Sequence, residues 1–195
     1  IKREVVAAAR ELTQERGRAA AELSKQVSDE LKELSMPHTQ LIIDIATPDY
    51  SSSLKESDFT VNGCDEIAIS IKAHATAPAI AIGKGASGGE MSRIMLALEV
   101  VIAESQPVGT YIFDEVDAGV GGKAAIEVGR RLALLAQHSQ VIVVTHLPQV
   151  AAWADTHFVV KKSSDGSISQ SDVAKLDAQN RIEEIARMLA GLESS

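Results

Sequence analysis

At the start of the chain, Val5, Ala9, Leu12, Arg16, Ala19, Leu23, Val27, Leu31 and Leu34 recur at alternating steps of three and four. The positions between them are mostly charged, polar or Ala, and no proline occurs before Pro37, so the spacing predicts one long helix over residues 1–34. Gly17 interrupts the run at a cost of about 1 kcal/mol relative to Ala. The same spacing suits a surface helix on a globular domain and the seam of a coiled-coil arm. Its length leans towards the arm. The period then changes. Leu41 to Ala46 is a β-branched run, and Ile67 to Lys72 alternates strictly between apolar and other positions, so both predict strands. Between them Thr47 to Asp58 is polar, with Pro48 and three consecutive serines, which predicts a surface loop, and Asn62-Gly63 is a turn signal. Pro78 and Gly83-Lys84-Gly85 mark a flexible approach to the next element.

From Gly88 onward helices and strands alternate. Residues 89–104 predict a helix apolar over much of its surface and therefore largely buried. Thr110 to Phe113 predicts a short strand that runs into acids, residues 121–137 an amphipathic helix, and Gln140 to Thr145 a continuous buried strand. His157 to Lys161 and Ile168 to Val173 predict a closing hairpin around Asp165-Gly166, and residues 178–190 a last helix. Such alternation implies an α/β layered core with a mainly parallel sheet. The boundaries expected are a terminal arm helix over 1–34 and a layered domain over 35–195.

Composition narrows the choice of function. The chain has 195 residues, 45% hydrophobic and 24% charged, which is globular rather than disordered. Aromatics make up only 3%, so the core must be aliphatic. A net charge of -8 argues against the domain as a whole being a nucleic-acid-binding surface. Cys64 is the only cysteine, so neither an internal disulfide nor a thiolate zinc cage can form, and a reducing, cytosolic setting fits best. No apolar run has the length of a membrane span, and no signal peptide is visible. The chain opens with Ile1 rather than Met and runs straight into a helical pattern, which suggests a piece of something longer.

Three segments carry chemistry, and each also has a plainer interpretation. Ser87-Gly88-Gly89-Glu90 lies where a loop enters a helix, with the Ser-to-Glu spacing of a capping box. Two consecutive glycines are expensive if capping were their only purpose, whereas bare backbone at the positive end of a helix lets an anion reach the amides. Asp114-Glu115 follows an apolar strand, which puts two carboxylates at the carboxyl edge of a sheet, where α/β proteins bind ligands. Strand alternation points the two carboxylates to opposite sides. One can hold Mg²⁺ through water and the other orient an attacking water, or both can be solvated acids at a strand end. His146 ends the next strand, either as a structural residue or as a donor aimed at a terminal phosphate. His38, His74, His138 and His157 lack a comparable setting.

Taken in order, these segments resemble the C-terminal half of an ABC-type ATPase head. Ser87-Gly88-Gly89-Glu90 resembles the signature motif, Asp114-Glu115 the Walker B pair, Val116-Asp117-Ala118 the D-loop and His146 the switch histidine. The stretches Ala86 to Leu98, Phe113 to Gly122 and Val144 to Ala152 are similar to those of the RecN family, SMC-like ATPases of DNA double-strand-break repair. That resemblance implies an ATP- and Mg²⁺-dependent head, cytoplasmic and nucleoid-associated, that pairs with a second head as a homodimer and engages DNA. It implies that Asp114 helps hold Mg²⁺, Glu115 positions the hydrolytic water and His146 contacts the γ-phosphate. Ser87, Gly88 and Gly89, with Glu90 closing their helix start, would clamp the γ-phosphate of a nucleotide held mainly by the other subunit. Asp117 would lie at the interface between heads and couple the two sites.

No G-x-x-x-x-G-K-[ST] occurs, and Gly83-Lys84-Gly85 is no substitute because neither Ser nor Thr follows the lysine. The phosphate loop is therefore expected on an N-terminal half of the same protein, across the coiled coil, and this segment alone is expected to be inactive. Arg93, Arg130, Arg131, Lys161 and Lys162 are expected to be solvated or structural rather than contacts to DNA. Three alternatives stay open: a metal-dependent hydrolase using Asp114, Glu115 and His146, a non-hydrolysing dimerisation module, and the head of another SMC-like protein or a transporter.

Overall fold

The computed structural model describes residues 2–50, 54–82, 84, 86–103, 105, 108–162 and 171–191. The chain divides into two compact units, Ile1–Ala86 and Ser87–Ser195. Among the described residues no helix is long and apolar enough to cross a membrane.

The first unit joins the helix α1 (Lys2–Glu33) to a three-stranded antiparallel sheet, β1 (Gln40–Ala46), β2 (Glu66–Lys72) and β3 (Ile80–Ala81). At its C-terminal half α1 buries Val27 and Leu31 fully, Leu34 just beyond its end is buried with them, and Leu41 of β1 is 1% exposed. Ser35, at φ 62°, takes the left-handed position that ends the helix, and Met36 N–H donates to Leu31 O at 2.9 Å across it. Pro37 then prevents continuation. Nearer its start the helix departs from the expected stripe. Leu12 is 38% exposed, and Thr13 is turned inward instead. The reason is polar: the Thr13 hydroxyl meets Asp65 Oδ1 at 2.8 Å and Tyr50 Oη at 2.9 Å. The alternation of β2 predicts one buried face, yet Ile67 and Ile69 remain 50% and 38% exposed. The turn at Asn62-Gly63 is present, with Gly63 at φ 87° bridging to Thr60.

The second unit begins with α2 (Gly88–Ile102), followed by β4 (Thr110–Phe113), α3 (Gly122–Leu135), β5 (Gln140–Val143) and the short α4 (Pro148–Ala151). It continues through β6 (Phe158–Lys162), β7 (Ser171–Lys175) and α5 (Ala178–Leu189). β4 and β5 are parallel, with Phe113 opposite Val143, and Val144 N–H extends the ladder to Phe113 O at 3.0 Å. Tyr111 and Phe113 stack on the inner side of β4, and the Tyr111 hydroxyl donates to Glu99 of α2 at 2.8 Å. Beneath them α2 and α3 contribute Ile94, Leu96, Val128 and Leu135 to the core.

The expected hairpin is β6 with β7, antiparallel, while its Asp165-Gly166 tip lies outside the described residues. The architecture is α/β as expected, but parallel pairing among the described residues is confined to β4 and β5. The strand over 140–145 was expected to be buried on both faces. Instead Ile142 and Val144 are 45% and 59% exposed, because among the described residues no element of this unit covers the outer side of the parallel pair.

Candidate functional site

The first turn of α2 carries the capping box in full. Glu90 N–H donates to Ser87 Oγ at 3.4 Å, and Glu90 Oε2 accepts from the Ser87 amide at 3.0 Å and hydroxyl at 2.9 Å. The Ser87 amide, and then its hydroxyl, hold the Glu90 carboxyl below its ordinary range. Capping therefore accounts for Ser87 and Glu90. It does not account for the glycines between them.

Those glycines are fixed by close approach. A Cβ on Gly88 would stand 2.7 Å from Glu115 Oε2, and one on Gly89 would stand 2.8 Å from Ala118 Cβ and 2.9 Å from the Glu115 carbonyl. The helix tip thus sits directly against the turn that leaves β4, and the Glu115 carboxylate lies at the positive end of α2. That turn is tight. Ala118 N–H donates to Glu115 O at 3.0 Å and Val120 N–H to Asp117 O at 3.2 Å. Ser92 of α2 donates to Asp114 O at 2.8 Å, tying the turn's start to the same helix.

Glu115 has φ 56°, a left-handed conformation that few non-glycine residues adopt. The alternation expected to send Asp114 and Glu115 to opposite sides therefore ends at Phe113, because Glu115 is not extended. Strain at a non-glycine residue is characteristic of positions held for a purpose.

Asp117 is buried beside the carboxyl edge of β4 and β5. Its side chain is 2% exposed, and its Oδ2 accepts from the Thr145 hydroxyl and from His146 N–H at 3.2 Å. The His146 Nδ1 is 3.4 Å from the same oxygen, while the imidazole remains 74% exposed. Asp117 therefore bonds to Thr145 and His146 of its own chain. It pins the backbone of His146, whose ring projects outward. Asp114 and Glu115 leave β4, and Thr145 and His146 leave β5, at the same carboxyl edge of a parallel pair.

Sequence reasoning undervalued Arg93. It is only 6% exposed, and its Nη1 donates to Ala118 O at 2.7 Å and Val116 O at 3.5 Å, the carbonyls on either side of Asp117. Burial lowers its pKa. The signal was present in register: Gly89, Arg93, Leu96 and Ala97 share one inward stripe of α2. Arg131 is likewise buried and pairs with Glu127, whereas Arg130 beside it is 45% exposed.

Among the described residues no group of three or more His, Cys, Asp or Glu gathers into a metal cluster. A zinc-type site needs such a set. Mg²⁺ takes only one or two carboxylates and completes its shell with water and phosphate oxygens, which the exposed Asp114 fits.

Glycine helix tip, acidic strand end and exposed imidazole share one parallel edge of an α/β fold, and the class that the fold defines is that of the SMC head domains. The fold is similar to that of the Smc head domain with coiled coil and joint from Pyrococcus yayanosii, with TM-score 0.59 and 23% identity over 88% of this chain and 29% of that one. It is also similar to the Pyrococcus furiosus Smc head with extended coiled coil bound to the C-terminal domain of ScpA, with TM-score 0.57 and 23% identity over 89% and 39%. No family model matches the chain.

Sequence identity narrows the class. The chain is 50% identical over 191 residues to DNA repair protein RecN of Streptomyces coelicolor, covering 96% of this chain and 33% of that protein. It is 45% identical over 207 residues to RecN of Mycobacterium leprae, covering 100% and 35%, and 39% identical over 188 residues to RecN of Treponema pallidum, covering 96% and 32%. Over the segment it spans, the chain is similar in sequence to these RecN proteins. That segment is about a third of the length of the curated relatives it matches.

Proposed function

We propose that this chain supplies one side of a composite ATP site in a RecN-like DNA repair and recombination protein, which hydrolyses ATP to ADP and phosphate. The single observation that carries the proposal is the contact of Gly88 and Gly89 with the Glu115–Ala118 turn. It sets helix amides that carry no side chain of their own beside a carboxylate at a parallel sheet edge, a pairing suited to a terminal phosphate and the water that attacks it.

In this assignment Ser87, Gly88 and Gly89 offer hydroxyl and amide donors to the γ-phosphate of a nucleotide held mainly by a second head of a homodimer. Glu115 orients the attacking water. His146 donates to the phosphate from the neighbouring strand, and Asp117 acts through His146 by fixing its backbone. Mg²⁺, held in part by Asp114, would offset phosphate charge when bound. Residues 1–34 end a coiled-coil arm and residues 35–195 form the C-terminal half of the head. The phosphate loop comes from the N-terminal half of the full-length protein. The open faces at Ile112, 71% exposed, and at Val144, Phe158 and Val160 support a covering segment of that kind. Similarity to proteins named for DNA repair supports DNA engagement as part of this reading.

Glu115→Gln in the full-length protein tests the assignment. The amide keeps the shape but cannot accept the proton of the attacking water, so turnover is expected to fall about a hundredfold or more, while an ATP-bound dimer accumulates in gel filtration. Unchanged hydrolysis would remove Glu115 from the mechanism.

A further inference from the structure

Burying a guanidinium is costly unless its donors are satisfied, and an aliphatic side chain at position 93 would pack beside Ile94, Leu96 and Ala97 without that penalty. Among the described residues Arg93 reaches no carboxylate by hydrogen bond. Its Nη1 grips the carbonyls of Ala118 and Val116, and its buried Nε has no hydrogen-bond partner among the described residues. Between those two carbonyls stands Asp117, whose carboxylate holds the Thr145 hydroxyl and the His146 amide. The cation is thus kept at the place where it fixes a turn from both sides.

We infer that Arg93 is a positioning residue that couples the glycine tip of α2 to His146, through the Val116–Ala118 turn and the Asp117–Thr145 contact. An anion drawn onto the amides of Gly88 and Gly89 pulls on α2. Arg93, in the following turn of the same helix, transmits that displacement to the backbone around Asp117, and Asp117 carries it to the imidazole. The inference rests on the proposed phosphate site, and one arm of its test does not depend on turnover.

The test uses the full-length protein with Arg93→Met, which keeps bulk and removes the donors, and Thr145→Val, which cuts the next link. Arg93→Met is expected to lower kcat for ATP about tenfold with KM within about twofold of wild type, the pattern of a group that acts on the transition state rather than on binding. Thr145→Val is expected to do the same, and the double variant to be no worse than the poorer single one, because both break one path. Independently of ATP, carbethoxylation of His146 by diethyl pyrocarbonate, measured by peptide mass spectrometry against the exposed His138, is expected to change about twofold in Arg93→Met.

Losses that multiply, a raised KM with kcat unchanged, or His146 labelling identical to wild type would overturn the coupling. A wild-type protein that labels as expected yet turns over no ATP would sink the functional reading alone. If Arg93→Met does not fold, Arg93→Lys, which keeps the charge but loses the fork, takes its place in the same cycle.

Discussion

Alanine at either glycine of the α2 tip introduces one methyl group, but the two methyl groups meet different neighbours. At Gly89 the new carbon would lie 2.8 Å from Ala118 Cβ and 2.9 Å from the Glu115 carbonyl, so backbone must move. Gly89→Ala is expected to destabilise the chain by about 1–3 kcal/mol in urea denaturation. At Gly88 the obstacle is Glu115 Oε2, the mobile end of a side chain. Gly88→Ala is expected to leave stability within about 0.5 kcal/mol, yet to lower ATP turnover in the full-length protein by displacing that carboxylate. Equal stability losses would contradict the close-approach account. The sequence alone shows a helix start and leaves open why both glycines stand there, since a capping box explains Ser87 and Glu90 equally well. The left-handed backbone of Glu115 leaves no composition signal at all. Arg93 is legible in the sequence only as solvated or structural, and the register of its buried neighbours decides for structural.

Elements are held by contacts that spacing alone cannot disclose. The periodicity of α1 is legible because Val27, Leu31 and Leu34 obey it, but its N-terminal half is fastened by polar groups from far along the chain. Asp65, whose side chain is 1% exposed, accepts from Thr13 at 2.8 Å and pairs with Arg16 at 2.9 Å, and Arg16 also donates to Asn62 O at 2.5 Å. Arg10 lies over the ring of Tyr50 at 5.3 Å. The loop between β1 and β2 is thereby bolted to the helix. Removing one member of a fully buried ion pair costs about 3–5 kcal/mol, and the 22% exposure of Arg16 puts this pair at the lower end of that range. Asp65→Ala is accordingly expected to destabilise the chain by about 3 kcal/mol, measured by chemical denaturation, with faster amide exchange in residues 10–16. A loss below about 0.5 kcal/mol, the level of an exposed pair, would show that this anchor does not hold the helix. The strands of the site are legible for the opposite reason. β4 and β5 are apolar runs of ordinary length, and their parallel pairing sets Asp114 and His146 on one edge without any unusual contact.

On the scale of the whole molecule, order along the chain says more than any one motif. The sequence of glycine tip, acidic pair and histidine anticipates both the RecN kinship and the edge on which these groups meet. It does not anticipate how much apolar surface stays uncovered, because strand patterns record that a face is apolar and not which segment covers it. Ile112, Val144, Phe158, Val160, Val173, Ile182 and Leu189 are each more than half exposed. Each such side chain is worth roughly 1.5–3 kcal/mol when fully buried, so a segment that covers several of them contributes substantially to stability. The same segment is proposed to carry the phosphate loop that this sequence lacks. Two outcomes are therefore linked. The chain alone is expected to turn over ATP negligibly, and joining it to the N-terminal half should raise its Tm, bring in ATP hydrolysis and produce ATP-dependent dimers in analytical ultracentrifugation. Robust hydrolysis by the chain alone, abolished by Glu115→Gln, would mean that its own residues bind the α- and β-phosphates. A higher Tm without nucleotide-dependent association would separate the two roles, leaving the open faces as a folding interface and removing the second head from the site.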